Sequence, residues 1–401
     1  MRNTGRWLCA RIFLFLICTG SSNLAANSLI VERAYYEDQT ASKTITDIQN
    51  LDWRPYEGVF SKGYSTSAFW IRLKVAGNTK ESDLPWMLQI KPTFIDEVTI
   101  WDSHDPSYLK VIGDRHPWLN NEYLNFNFNV FLTKLNEPRY VWLRVKTTST
   151  NLMDVQIQEI DEFIQNSAQQ TNFYMFVIAL LSTLFLLSLL SFVIRPDYLR
   201  AIFVIYQLLA VFYACAYTGF LRAHLHQSVF PSLLDHLSSL SIFNYTFASI
   251  FFYRTLLKEY QPQSWCLLYF NLFLAIYPMQ VLMLFSGHVD WALKTNAILI
   301  LIAPLFSLIA LYWGVDWSQS EYMRKYLVPK KLLLFFYVIL ILSLWSAVLP
   351  ALNWLKPLGY QTDMLLVHGL VTGSILTVLM YLREREIRFL RAGGGMKTLR
   401  R

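Results

Sequence analysis

The chain has 401 residues, of which 54% are hydrophobic and 16% aromatic, and a formal net charge of +7. That apolarity excludes a wholly soluble protein. The charge does not point to nucleic acid either, because residues 27–170, the one stretch that reads as a soluble module, hold 14 basic against 19 acidic side chains.

Arg2, Arg6 and Arg11 precede the apolar run from Ile12 to Cys18, and small residues follow at Thr19 to Ser22 and Ala25 to Ala26. A basic start, a short apolar core and a small-residue cleavage site predict a secretory signal peptide over 1–26, and with it a bacterial inner-membrane protein. From Ser28 the pattern changes to period two. Leu124, Phe126, Phe128 and Val130 alternate with Asn125, Asn127 and Asn129, the pleat of a strand with one wet face. Further strands are predicted from Leu29 to Tyr36, Ala68 to Val75, Trp86 to Ile90, Glu97 to Trp101, Tyr108 to Ile112, Tyr140 to Thr147 and Leu152 to Gln158. About eight short antiparallel strands predict an all-β jelly-roll sandwich over 27–165. Cys9 and Cys18 lie in the leader and Cys215 and Cys266 in apolar spans, so this domain is expected to stand on its core without disulfides.

From Ile160 the chain turns helical and enters the first of seven apolar segments. These run from Tyr174 to Ile194, Ala201 to Phe220, Leu233 to Leu257, Trp265 to Phe285, Thr295 to Trp313, Leu332 to Ala351 and Met364 to Leu382. Each is long enough to cross a hydrocarbon core of ~30 Å as a helix. The expectation is an all-α seven-helix transmembrane bundle over 170–385 and a short basic tail over 386–401. Lys and Arg are retained on the cytoplasmic side. One set of breaks plus the tail holds 15 of them, from Arg195 to Arg401, against Arg222, Lys294 and Lys356 in the other set. The C-terminus is therefore expected inside the cell and the β-domain in the periplasm. The run Arg383 to Arg391 reads as a basic helical extension resting on anionic lipid.

The Phe69-Trp70-Ile71-Arg72-Leu73 segment, the stretch from Pro92 to Trp101 and the Tyr140-Val141-Trp142-Leu143-Arg144-Val145 segment stand between a leader and seven helices. In that order the chain resembles the bacterial seven-transmembrane receptors with diverse intracellular signalling modules (7TMR-DISM), and its external part resembles their type-2 extracellular domain. The resemblance implies a jelly roll related in shape to carbohydrate-binding modules, and a role in signal transduction. Family members usually continue after the seventh helix into a kinase, a diguanylate cyclase or another output domain. This chain stops nineteen residues past Leu382 and is expected to lack one.

His224 and His226 fall in the first external loop, with Asp235, His236 and His288 nearby in topology, but their spacing matches no zinc template, so neither a metal nor a cofactor is expected. His368 sits within the seventh span, where an ionisable group is a functional candidate by default, although a neutral imidazole bonded to a neighbouring helix explains it as well. Of the tryptophans Trp53, Trp70, Trp86, Trp101, Trp118 and Trp142, most fall at alternating strand positions and are expected to face the core. Trp118, in Arg115-His116-Pro117-Trp118, is expected to be exposed. Arg72, Arg115, Trp118 and Arg144 are the candidate ligand contacts, and Arg72 and Arg144 could equally pair with Asp96 or Glu97. No enzyme signature stands in a fitting context. These observations predict a sensory receptor that binds a small periplasmic ligand, a carbohydrate among the candidates, and relays a conformational change to a cytoplasmic signalling protein or a homodimer mate. A transporter or intramembrane enzyme with an accessory β-domain is the alternative.

Overall fold

A computed structural model of the chain describes residues 29–48, 51–77, 84–105, 107–118, 121–122, 125–226, 230–317 and 328–398, with side chains to 384. The signal peptide over 1–26, Leu124, the loop basics Arg324 and Lys325 and the terminal Arg400 and Arg401 lie outside the described residues, as do the side chains of Arg385, Arg388, Arg391 and Lys397.

Ten strands come first: β1 (Ile30–Asp38), β2 (Arg54–Pro55), β3 (Phe60–Ser61), β4 (Ala68–Val75), β5 (Trp86–Lys91), β6 (Glu97–Asp102), β7 (Leu109–Ile112), β8 (Phe128–Leu132), β9 (Arg139–Lys146) and β10 (Leu152–Glu159). They form a six-stranded sheet in the order β2-β1-β4-β9-β6-β7 and a four-stranded sheet in the order β3-β10-β5-β8. Every strand pairing is antiparallel. Pro55 falls on the outermost strand of the larger sheet, where its missing N–H leaves no ladder bond unmade. Alternate residues turn inward: Ile71, Leu73, Val98, Ile100, Val141 and Leu143 from one sheet meet Leu88, Ile90, Val130, Val155 and Ile157 from the other in one buried core. Sequence alternation places the strands well. The exception is the Leu124–Val130 run, where regular pairing starts only at Phe128 and extends to Leu132.

Strand β10 passes into helix α1 (Ile160–Ile194) with no linker, because Glu159 keeps extended angles and Asp161 and Glu162 sit favourably on the positive end of the helix. The helices that follow are α2 (Tyr198–Tyr217), α3 (Phe220–Leu225), α4 (Pro231–Lys258), α5 (Ser264–Phe285), α6 (Val289–Ile309, continued by a π turn over Ala310–Gly314), α7 (Lys330–Ala351) and α8 (Met364–Thr398), the last preceded by a 3₁₀ turn, Gln361–Asp363. Among the described residues six helical segments are long and apolar enough to cross a membrane: Ile160–Ile194, Tyr198–Tyr217, Ser264–Phe285, Val289–Gly314, Lys330–Ala351 and Gln361–Glu384. Helix α4 is 28 residues long but carries Asp235, Ser239, Ser241, Thr246 and Thr255, all buried, and does not reach the same apolarity. Its polar groups turn toward the other helices, and a hydropathy average cannot see that.

The sandwich rests on the bundle through the outer face of its smaller sheet. That face is polar: Gln89, Asn129, Asp154 and Gln158 are all buried, Asn129 at 0% exposure. The asparagine face read as wet from sequence is therefore dry. Asn125 bonds Ser167 at 2.5 Å and Asn127 bonds Gln170 at 2.7 Å, both on α1. The outer face of the larger sheet is left pointing away from the bundle.

Candidate functional site

Three groups of residues carry chemistry. The first lies on the outward face of the six-stranded sheet. Residues that alternate with the core positions of β4, β9 and β6 line up across strands, with Arg72 opposite Trp142 and Trp142 opposite Trp101. Trp70 stacks on Trp101 at 5.1 Å, and Tyr140 stacks on Trp142 at 6.1 Å. Arg72 lies over Trp53 at 4.9 Å and Tyr140 at 5.3 Å, with Glu32 at 3.4 Å. Arg144 reaches Glu97 at 3.5 Å and donates to the Ala41 carbonyl at 2.8 Å. Trp101 and Trp142 therefore face away from the core, against expectation; Trp70 lies on the same face but is fully buried, and Trp86 lies within the core between the sheets. The alternation was read correctly, but β-period alone does not say which of two hydrophobic sets is inside; the aliphatic set won that place.

The second group is the joint between sandwich and bundle. Arg115 meets Asp96 of the sandwich at 2.9 Å and Asp235 of α4 at 3.3 Å. Arg222 of α3 is buried and donates to the backbone carbonyls of Asp114 and His116, with its guanidinium 5.8 Å from the rings of Trp118 and Phe128. Trp118 is thus 4% exposed, a correction to the exposed loop tryptophan expected; a buried cation above and Phe128 beside it offer its ring a better place than water. The Asp114 carboxyl is buried with one oxygen unpartnered. Burial pushes its pKa well above the ordinary carboxylate range, and the neighbouring Asp235 and Asp96 push the same way against Arg222 and Arg115. Burial lowers the pKa of Arg222, with Asp114 and Asp235 opposing. For Arg115 burial acts downward too, but the carboxylates of Asp96 and Asp235 outweigh it and raise its pKa. Arg115, between the carboxylates of Asp96 and Asp235, and Arg222, on the backbone carbonyls of Asp114 and His116, so hold the domains together across their contact.

Two further links cross the same joint. A hydrogen-bonded file runs from Asn127 to Gln170 (2.7 Å), on to Tyr174 (2.7 Å) and then to Asp363 in the turn before α8 (2.8 Å). Between β3 and β4 a loop enters the top of the bundle: Ser61 donates to the Pro350 carbonyl at 2.7 Å, and Tyr64 packs against both the Leu344–Leu352 cluster and the Phe243–Leu293 cluster. Gly63 permits this entry, because its φ is +66° and a Cβ there would stand 3.1 Å from the Leu352 carbonyl oxygen. Sequence reading passed over Tyr64, Asp114 and Arg222. A charge beside a helix end, as in Arg222 and Asp235, was the available signal; Tyr64 had none.

The third group lies within the bundle. His368 on α8 is within 2.8 Å of the Ser343 hydroxyl of α7 through Nδ1 and 3.3 Å of Thr372 through Nε2. It borders a cavity of about 60 Å³ that Tyr206, Tyr213, Tyr245 and Thr246 also line. At the other end of the bundle Arg383, 6% exposed, bonds Glu259, the residue that follows α4, at 2.8 Å and Asp197 at 3.0 Å. It is therefore fastened to protein rather than laid on lipid. Glu384 lies 3.7 Å from Arg195 and 3.9 Å from Arg200. Among the described residues no three His, Cys, Asp or Glu side chains gather as a metal would need. The loop histidines bond the carbonyls of their own helices instead: His224 that of Phe220, His226 that of Ala223 and His236 that of Ser232.

No curated protein matches the chain. Residues 32–159, from early β1 to the end of β10, match the family model described as 7TMR-DISM extracellular 2. The protein is a membrane protein with an extracellular domain near its N-terminus, and the match supports its assignment to the 7TMR-DISM receptors, a receptor and sensor family, as one with a type-2 extracellular domain.

Proposed function

We propose that this is a transmembrane sensory receptor in which a small periplasmic ligand binds the outward aromatic face of the sandwich and the joint passes the resulting shift to the helices. The observation that carries this reading is the two-faced sandwich. Its smaller sheet is committed to the bundle through Asn125, Asn127 and the chain entering α1, while its larger sheet presents Trp101, Trp142, Tyr140, Arg72 and Arg144 on the far side. Stacked rings beside guanidiniums suit a hydroxylated ligand, so a carbohydrate is the first candidate: the sugar ring lies on an aromatic face and its hydroxyls accept from Arg. We read the sandwich as a jelly roll.

We count α4 as the seventh crossing, with its polar side turned inward. Seven crossings with Lys and Arg concentrated on one side put the sandwich in the periplasm of a bacterial inner membrane and the C-terminus in the cytoplasm. There the end of α8, gathered with α4 and the α1–α2 turn by Arg383, meets a signalling protein or a second copy. Reporter fusions at Asn151 and after residue 398 check the topology, and two active reporters in one compartment would overturn it. Ligand recognition is checked on the full chain in nanodiscs by tryptophan fluorescence titration with mono- and oligosaccharides. Saturable quenching that Trp142→Ala and Arg72→Gln weaken at least about tenfold supports the site, whereas quenching of equal strength in both variants moves the ligand elsewhere.

A further inference from the structure

We infer that the cavity beneath the Tyr64 loop is a second binding site, inside the bundle, for a compact neutral amphiphile of the short-chain alcohol or ketone type. The site is independent of the sandwich face proposed above.

The cavity is about 60 Å³ and is walled by α2, α4, α6, α7 and α8. Most of the wall is apolar, with Ile242, Ile250, Ile300, Pro304, Leu340 and Leu344 among its residues. Among the described residues two buried hydroxyls on it have no partner, those of Tyr213 and Thr246, in residues 8% and 5% exposed. Buried hydroxyls without a partner are costly, so the native state is expected to satisfy them. Several other polar groups on the wall are already engaged. Tyr206 and Tyr245 bond each other at 2.8 Å, and His368 is occupied by Ser343 and Thr372. Unmet hydrogen-bonding capacity is therefore carried by Tyr213 on α2 and Thr246 on α4, in a cavity whose wall also holds Ile, Leu and Pro side chains.

That arrangement selects the occupant. Among the described residues no Lys, Arg, Asp or Glu lines the cavity, so an ion would be left without a counter-charge and a neutral molecule is favoured. A water needs roughly 10–15 Å³, so the space takes about four to six waters, or a molecule of about four to six heavy atoms. Water would bond Tyr213 and Thr246 but would gain nothing from the Ile and Leu wall. A propanol-sized molecule meets both, giving its oxygen to the hydroxyls and its carbons to the aliphatic side. Such molecules cross bilayers unaided and can enter from lipid. The site also borders the groups that link α7 to α8 through His368, so an occupant presses on the same helices that carry the joint.

The test uses the full chain in lipid nanodiscs with 1-propanol as probe, followed by saturation-transfer NMR. Binding is expected to saturate, to be competed by acetone, which can accept from both hydroxyls, and to be unaffected by protonated propylamine. The isosteric double variant Tyr213→Phe, Thr246→Val should weaken it at least about tenfold. Thr183→Val, at an exposed α1 hydroxyl that bonds its own helix at 2.8 Å, should leave it unchanged. A signal that rises linearly with propanol, showing partition into lipid with only water in the cavity, would overturn the proposal. Saturable binding undiminished in the double variant would overturn it equally.

Discussion

Replacing Arg115 with Met removes the guanidinium that spans the two domains, and its cost can be worked from the contacts that remain. Asp96 keeps three hydrogen bonds, from the Thr147 hydroxyl at 2.8 Å, the Thr148 hydroxyl at 3.0 Å and the Thr148 amide at 3.2 Å. Asp235 is only 7% exposed and receives its hydrogen bond from Arg115, so it is the carboxylate that loses most. Breaking a fully buried ion pair costs about 3–5 kcal/mol. The Arg115 side chain retains 43% exposure, and screening by water reduces the expected loss to about 1–2 kcal/mol. That energy belongs to the joint rather than to either core. The expected result is amide exchange about 5–30 times faster in α3 and in the segment 113–118, with the core strands β4 and β9 unchanged. Adding Asp235→Asn should return much of the protection, because the stranded charge is gone. The assay is a double-mutant cycle followed by hydrogen exchange in nanodiscs. A coupling energy of zero between the two sites, with wild-type protection in Arg115→Met, would refute the assignment of Arg115 as the strap between domains.

Asp114→Asn should stabilise the joint at neutral pH. The Asp114 carboxyl has a folded pKa above its ordinary 3.8, so within that window the folded chain holds a proton the unfolded chain has released, and stability falls as pH rises. Thermal unfolding followed from about pH 5 to about pH 8 should slope downward for the wild type and be flatter for the Asn variant. Gly63→Ala places an L residue at φ +66° against the Leu352 carbonyl and should cost about 1–2 kcal/mol, read as faster proteolysis of the Tyr64 loop. Arg383→Gln removes the tie to Glu259 and Asp197 and should speed exchange along 384–398 several-fold without touching the sandwich; equal protection there would mean that α8 is fastened by other contacts.

Much of the architecture was legible because two periods are written plainly. Val141, Leu143 and Val145 recur at every second position of β9, and the apolar stretches from Tyr174 onward are too long for anything but helices in lipid. The strand-to-helix junction at Glu159–Ile160 was legible for the same reason, as the period changes there within one residue. The membership of residues 32–159 in an extracellular sensor-type domain follows from sequence similarity alone.

What tertiary structure decided is which of two equivalent faces is inside and which charges meet. Trp118 and Arg222 stand 104 positions apart in the chain, and no local pattern says that one caps the other. The Asn125–Asn129 face reads as solvated because asparagine is polar, and it is dry because α1 happens to supply Ser167 and Gln170 opposite it. Polarity fixes only that a group needs a partner. Whether that partner is water or another part of the chain depends on long-range packing, and at this joint the chain supplies it.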